Sequence, residues 1–453
     1  MFESSVYQDR RRDLASRLEG GLVLLPGHGE SPINYADNPY RFRQDSTFLY
    51  YFGLWRQDVA GVLDVDAGRA ILFGDDPTVA QIVWTGEVPT MGELAERVGV
   101  TDTRPRAALG EVVGQARAAG RPIHWLAPYR PAHTLLLMDL LGHSRQEVEA
   151  GASEALIKAI VDQRSYKSDE EVAELERAVT TSVAMHRAAL RMVRPGTTEL
   201  AIAAEVERVA REAGGRVAFP VIATINGQTL HNHGQPNTLQ AGELFLLDAG
   251  AETAMGYAGD LTTTCPVDPE PSERQRDVYE ILLRSYEAAV AELAPGIPYR
   301  DVHLTAARVI FDGMKELGLM RGDTEEAVAA GAHALVFPHG LGHMMGLDVH
   351  DMENLGEQFV GYGDMERSTQ FGLSALRLAR PLEPGFVFTV EPGIYFIPKL
   401  IDDWRERGHL AEFIDYDAFR DWRGFGGMRN EEDYLVTDDG ARRLGPRKPQ
   451  TAE

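Results

Sequence analysis

Between residues 9 and 164 the chain alternates short apolar runs with helical stretches. The runs at 22–25, 61–64, 70–73, 81–84 and 123–126 have the length of strands, and the pattern predicts an α/β layer built on a mixed sheet. Near residues 160–169 the text changes to a connection in which Ser168, with Glu171 three residues later, forms a helix-starting capping box. A boundary there divides the chain into an amino-terminal domain, 1–164, and a second domain, 165–453. Two helices follow, 169–191 and 199–213, separated by the turn Arg194-Pro-Gly-Thr. The first carries Val172, Leu175, Val179 and Val183 at three- and four-residue spacing, the mark of one buried face. After Gly214 the pattern becomes β-like at 217–225, 243–249 and 257–266. It turns helical at 272–293 and 301–317, and returns to strands at 386–389 and 433–436. Helices and hairpins in separate runs predict an α+β domain. Residues 442–453 read as a frayed tail.

Composition narrows the partners. With 453 residues, 44% hydrophobic and 25% charged, the chain can bury a sizeable core. Its 69 acidic against 45 basic residues leave a net charge of −24, which repels phosphate backbones and anionic lipid headgroups, so neither nucleic acid nor membrane is expected as a partner. A single cysteine, Cys265, excludes an intrachain disulfide. The first apolar run, 22–25, is too short for a signal segment, and a cytoplasmic protein is the expectation.

The chemistry is signalled by acids in apolar settings. Asp248 ends the run Leu246-Leu-Asp248, and Asp260 lies just inside the next predicted strand, with 252–256 available for a turn between them. Two carboxylates facing each other across paired strands need a counter-charge. Glu391 follows the apolar run 386–390, and Glu431 heads the strand 433–436. Between them in sequence lies a glycine-rich stretch holding His339, His343 and His350, imidazoles suited to a metal or to a developing oxyanion. Two Asp, two Glu and one His make an oxygen-rich set for hard or borderline divalent ions, Mn2+ first, with Co2+ or Zn2+ as alternatives. Four carboxylates balance two such ions, a recurring hydrolytic arrangement.

Asp248, Asp260, His343 within His339-Gly-Leu-Gly-His343, Glu391 within Thr389-Val-Glu-Pro-Gly393 and Glu431 within Gly426-Gly-Met-Arg-Asn-Glu-Glu-Asp433 occur in that order. The set closely resembles the proline-specific metallopeptidases of the pita-bread fold, the prolidases and Xaa-Pro aminopeptidases, over most of residues 165–440. Residues 40–53 also resemble the amino-terminal domain of that group. The resemblance implies that Asp248 chelates one metal, that Asp260 and Glu431 bridge both, and that His343 and Glu391 hold the second. It further implies that His231 and His350 contact the substrate carbonyl and stabilise the tetrahedral intermediate; Glu391 is the general-base candidate, because a ligand carboxylate next to a metal-activated water can take its proton and hand it on. His339, with Tyr257, would line the proline subsite, and Arg429 and Thr262 would stand behind the ligand carboxylates. Asn430 departs from the apolar residue usual before the glutamate.

Arg377 matches the prolidase arginine that pairs with the free carboxylate of a dipeptide, a contact an extended peptide cannot offer. Residues 395–427, between the two glutamates, are also similar to prolidases. A Xaa-Pro dipeptidase is therefore expected, with a Xaa-Pro aminopeptidase as the alternative and a non-catalytic peptide-binding module as a remote one. The resemblance also implies small peptide substrates with proline in second position and a homodimer or homotetramer.

Overall fold

The structure, a computed structural model, describes residues 1–449. Their contacts separate into two compact units, one of residues 1–164 with 354–359, the other of 165–353 with the described residues from 360 onward.

The first unit is built on five strands, β1 (Leu22–Pro26), β2 (Ala60–Asp64), β3 (Arg69–Phe73), β4 (Asp102–Arg104) and β5 (Ile123–His124), in the order β4-β3-β2-β1-β5. β1, β2 and β3 pair antiparallel, while β4 and β5 run parallel to their neighbours, giving the mixed sheet the alternation predicts. Leu22, Leu24, Val62, Ile71 and Phe73 meet Leu109, Val113, Leu137 and Leu141 of the helices Leu109–Ala118 and Pro131–Leu141 in a core. The run 81–84 is not a strand: it lies in the helix Val79–Thr85, where Thr78 and Gln81 form a capping box that satisfies the first free N–H groups. That helix buries none of its residues and leaves Val83 76% and Trp84 87% exposed.

The second unit begins with the helix Asp169–Leu190, started by the Ser168–Glu171 capping box. With the helix Glu199–Glu212 it covers a sheet of β7 (Ile222–Thr224), β8 (Leu244–Asp248) and β10 (Thr262–Pro266), burying Met185, Ile202 and Val206 against Phe245 and Leu247. Short strands β6 (Arg216–Val217) and β9 (Ala251–Glu252) pair beside it. A second helix pair, Glu273–Ala291 and Tyr299–Glu316, accompanies β11 (Val387–Val390), β12 (Gly393–Tyr395), β13 (Gly427–Arg429), β14 (Glu432–Thr437) and β15 (Gly440–Arg443). β11 pairs with β14, β14 with β15, and β12 with β13. Each half thus sets two acids at or near the ends of paired strands, and a bridge between Thr262 and Glu431 is one of the links between the halves.

Three expectations change here. The strand predicted over 217–225 is split at Pro220, which has no N–H for a ladder, into β6 and β7. Asp260 lies two residues before β10, and the residue paired with Asp248 is Thr262. Close packing draws the turn away from the ladder: a Cβ on Gly250 would fall 1.7 Å from the Gly259 carbonyl, and one on Gly259 would fall 2.9 Å from the Val179 nitrogen. The end of the chain is anchored rather than frayed, since the Leu444 N–H donates to the Asp433 carbonyl at 2.8 Å and both Leu444 and Lys448 are buried. Residues 450–453, the rest of that expectation, lie outside the described residues. Among the described residues no helix is long and apolar enough to cross a membrane.

Candidate active site

Asp248, Asp260, His343, Glu391 and Glu431 converge on one cavity of about 430 Å³, whose walls also hold His231, His339, His350, Arg377 and Arg429. Asp260, His343 and Glu431 each present one ligand atom, and these atoms lie within 4.8 Å of one another. His343 Nε2 stands 3.4 Å from Asp260 Oδ2 and 3.7 Å from Glu391 Oε1. Its Nδ1 is 3.2 Å from the Met344 carbonyl, which can only accept, so Nδ1 carries the proton and Nε2 turns a lone pair toward the carboxylates.

A layer of donors holds the acids. Arg429 donates from Nη2 to Asp248 Oδ2 at 2.6 Å and from Nε to Thr262 Oγ1 at 3.1 Å. Thr262 in turn donates to Glu431 Oε2 at 2.7 Å, so one buried guanidinium braces two carboxylates, one of them through a hydroxyl. Its Nη1 donates to the Tyr395 hydroxyl at 2.8 Å, which lies 2.8 Å from His339 Nε2. Thr389 Oγ1 accepts from the His343 N–H at 3.1 Å and donates to Glu391 Oε1 at 3.3 Å. The Asn430 N–H donates to the Pro392 carbonyl, and Glu431 beside it remains 2% exposed.

The electrostatics fit divalent cations. Burial raises the Asp260, Glu391 and Glu431 carboxyls well above the usual range, and neighbouring carboxylates raise them further. Asp248 Oδ1 and Asp260 Oδ1 are buried with no hydrogen-bond partner. Orphaned carboxylate oxygens beside one imidazole are the donor set of a hard or borderline metal. Burial also lowers the His343 and His350 imidazoles to about 4, leaving both neutral near pH 7.

His350 stacks on His343 with ring centroids 3.7 Å apart, and its Nδ1 is 2.8 Å from Glu353 Oε1. Arg377 Nη1 donates to the same Glu353 oxygen. Burial pushes the Glu353 carboxyl up, but the hydrogen bond from His350 and the charge of Arg377 outweigh it and hold the group at about 2. An ionised Glu353 only accepts, so His350 keeps its proton on Nδ1 and leaves Nε2 open.

Tyr257 is the predicted site residue that the structure does not bring to the cavity. It is buried, and its hydroxyl donates to Glu171 Oε1 at 3.0 Å on the helix Asp169–Leu190, which holds the ring away. The sequence reading missed Glu353, Thr389 and Tyr395. Thr389 and Tyr395 sit two and four residues from Glu391 and are signalled by that proximity, whereas Glu353 reaches its partners through turns that leave no periodic trace.

Residues 173–438 match metallopeptidase family M24, and residues 7–124 match the aminopeptidase P amino-terminal domain. The Xaa-Pro dipeptidase of Homo sapiens is 31% identical over 93% of this chain and 85% of its own length. The Xaa-Pro aminopeptidase of Escherichia coli (strain K12) is 30% identical over 99% and 96% respectively. Among solved structures, the Pseudomonas aeruginosa aminopeptidase PepP superposes with a TM-score of 0.80 at 29% identity, covering 98% of this chain and 95% of that one. Zinc-substituted Escherichia coli aminopeptidase P in complex with product gives a TM-score of 0.79 at 27% identity with the same coverage. The architecture is accordingly an α/β amino-terminal domain followed by an α+β catalytic domain of the pita-bread fold.

Proposed function

Since the chain belongs to metallopeptidase family M24, we propose that it is a Xaa-Pro dipeptidase loaded with two Mn2+ ions. In coarser terms it is a proline-specific metallopeptidase that uses divalent metal, a statement that holds for dipeptidases and aminopeptidases alike.

Asp248, Asp260, His343, Glu391 and Glu431 would hold the ions. Bound there, divalent metal lowers the pKa of water and polarises a carbonyl. The remaining work falls to the chain. Glu391, with a side chain 17% exposed against 7% for Asp260, is the carboxylate best placed to take a proton from water and hand it to the leaving amine. A proton taken up from solvent at His350 Nε2 as negative charge develops on the carbonyl oxygen makes that ring a donor to it, with Glu353 already opposite Nδ1 to balance the imidazolium. His231, on the same wall, adds a second imidazole. Phe219, Pro338 and Val349 give the cavity apolar surface beside His339, suited to a proline ring whose nitrogen offers no N–H.

The observation that favours a dipeptide is Arg377, which lines the same cavity as the carboxylates and points its guanidinium at Glu353 across from His350. A substrate ending directly after proline presents a carboxylate there; a longer peptide presents an amide. Arg377→Ala is expected to lower kcat/KM for a Xaa-Pro dipeptide by about 10- to 100-fold, as for a lost charge-assisted hydrogen bond, chiefly through KM. Xaa-Pro tripeptides should change less than about threefold. Equal losses on both substrates would mean that Arg377 acts through Glu353 and His350 instead. The aminopeptidase alternative uses the same acids and has no need of Arg377. A cytoplasmic homodimer or homotetramer is the assembly we expect; the exposed Val83 and Trp84 supply apolar surface for association, and the mass in solution tests it.

A further inference from the structure

The carboxy-terminal segment carries a buried lysine that neither the fold nor the peptidase chemistry requires on its face. Lys448 is 3% exposed although it follows the last strand and a Leu-Gly-Pro-Arg stretch. The segment is steered inward at Gly445, whose φ of 64° is the left-handed region that favours glycine and whose N–H donates to a Glu176 carboxylate oxygen. Its end reaches the bridge that joins the two halves of the catalytic unit. Lys448 Nζ donates to the Glu431 carbonyl at 2.8 Å and to the Thr262 carbonyl. The Thr262 carbonyl also accepts the Glu431 N–H at 3.2 Å, and the Thr262 hydroxyl holds the Glu431 carboxylate.

An ammonium so placed is costly to desolvate unless it is compensated. Here two carbonyls accept from it, and the buried carboxylates of Glu432 and Asp433 lie near, with Arg443 opposing. Asp433 is itself tied to the site, since its Oδ2 accepts the Asp260 N–H at 3.0 Å. The lysine therefore sits directly behind the backbone of Glu431 and next to the carboxylate that orients Asp260. A lysine needed only to tether the tail would be served by surface carbonyls; this one is spent on the strand junction beneath two acids.

We infer that Lys448 is a positioning residue that clamps the Thr262–Glu431 junction and thereby fixes two carboxylates, Asp260 and Glu431, that would hold divalent metal. The inference rests on the proposed ligand roles of those two acids. Its test is isothermal titration of intact, metal-stripped protein with Mn2+, alongside thermal unfolding. Lys448→Met is expected to weaken Mn2+ binding about 10- to 100-fold, the range for partners that orient ligands, with Lys448→Arg restoring most of it. Leu444→Ala, which loosens the same tail without touching the junction, should lower the melting temperature and leave Mn2+ affinity within threefold of the wild type. Should Lys448→Met not fold, Lys448→Gln, which keeps a donor without the charge, carries the same comparison. Wild-type affinity in Lys448→Met or Lys448→Gln, or an equal loss in Leu444→Ala, would overturn the inference. Absence of Mn2+ binding by the wild type would instead overturn the ligand assignment beneath it.

Discussion

Glu431→Gln is expected to abolish peptide hydrolysis, with kcat falling by at least about 10³-fold, because the activation of water that divalent metal supplies depends on keeping the ions in place. Glu431 is 2% exposed, its Oε2 is held by Thr262, and it stands among the atoms of Asp260 and His343. Without metal, these buried acids oppose one another, and each drives its neighbours' carboxyls up. Removing one negative charge by an isosteric amide should therefore leave the metal-stripped protein as stable as the wild type or more so. The same substitution should remove the stabilisation that Mn2+ confers, which for a ligand at 100 times its Kd is about 2.7 kcal/mol. Thermal unfolding with chelator and with Mn2+ checks both parts: the wild type should gain in melting temperature on adding Mn2+, and the variant should gain little. A variant that is active, or one that loses stability equally in both conditions, would contradict the assignment.

His350→Ala is expected to cost about 10² to 10³ in kcat, the range for loss of one donor to a developing oxyanion. The ring lines the cavity, is fixed by Glu353 at 2.8 Å, and stacks on His343 at 3.7 Å. Its loss therefore removes a donor while His343 keeps its own hydrogen bond to the Met344 carbonyl. Bound Mn2+, measured by elemental analysis, should stay close to the wild-type content, which separates this loss from that of Glu431→Gln. A large fall in metal content would place His350 among the groups that build the metal site. Glu353→Gln should show a smaller version of the same kinetic effect, since it leaves the imidazole but not the carboxylate that selects its tautomer.

The acids of the site were legible because they interrupt apolar runs. Asp248 ends a fully buried strand, and Glu391 follows another, so each reads as a charge in need of a partner. The Ser168–Glu171 start of the first long catalytic helix was likewise written in local chemistry, a hydroxyl and a carboxylate three residues apart. Where the code is not local the reading failed. Residues 81–84 form an apolar run too short to distinguish strand from helix, and the capping box at Thr78 decided it. Tyr257 lies three residues from Asp260, but its ring is turned to Glu171, nearly ninety residues earlier in the chain. Glu353 and Lys448 have no motif around them; the first is brought to Arg377 and His350 by a loop, and the second returns to the junction from the end of the chain. Polarity and glycine near a terminus favour fraying on average, yet hydrogen bonds of Leu444, Gly445 and Lys448 anchor this one.

Substrate choice is tested most directly by initial rates of Mn2+-loaded wild-type protein on Ala-Pro and on Ala-Pro-Ala. A carboxylate meeting Arg377 predicts kcat/KM at least about tenfold higher for the dipeptide. Equal or faster cleavage of the tripeptide would contradict it and identify an aminopeptidase built on the same site.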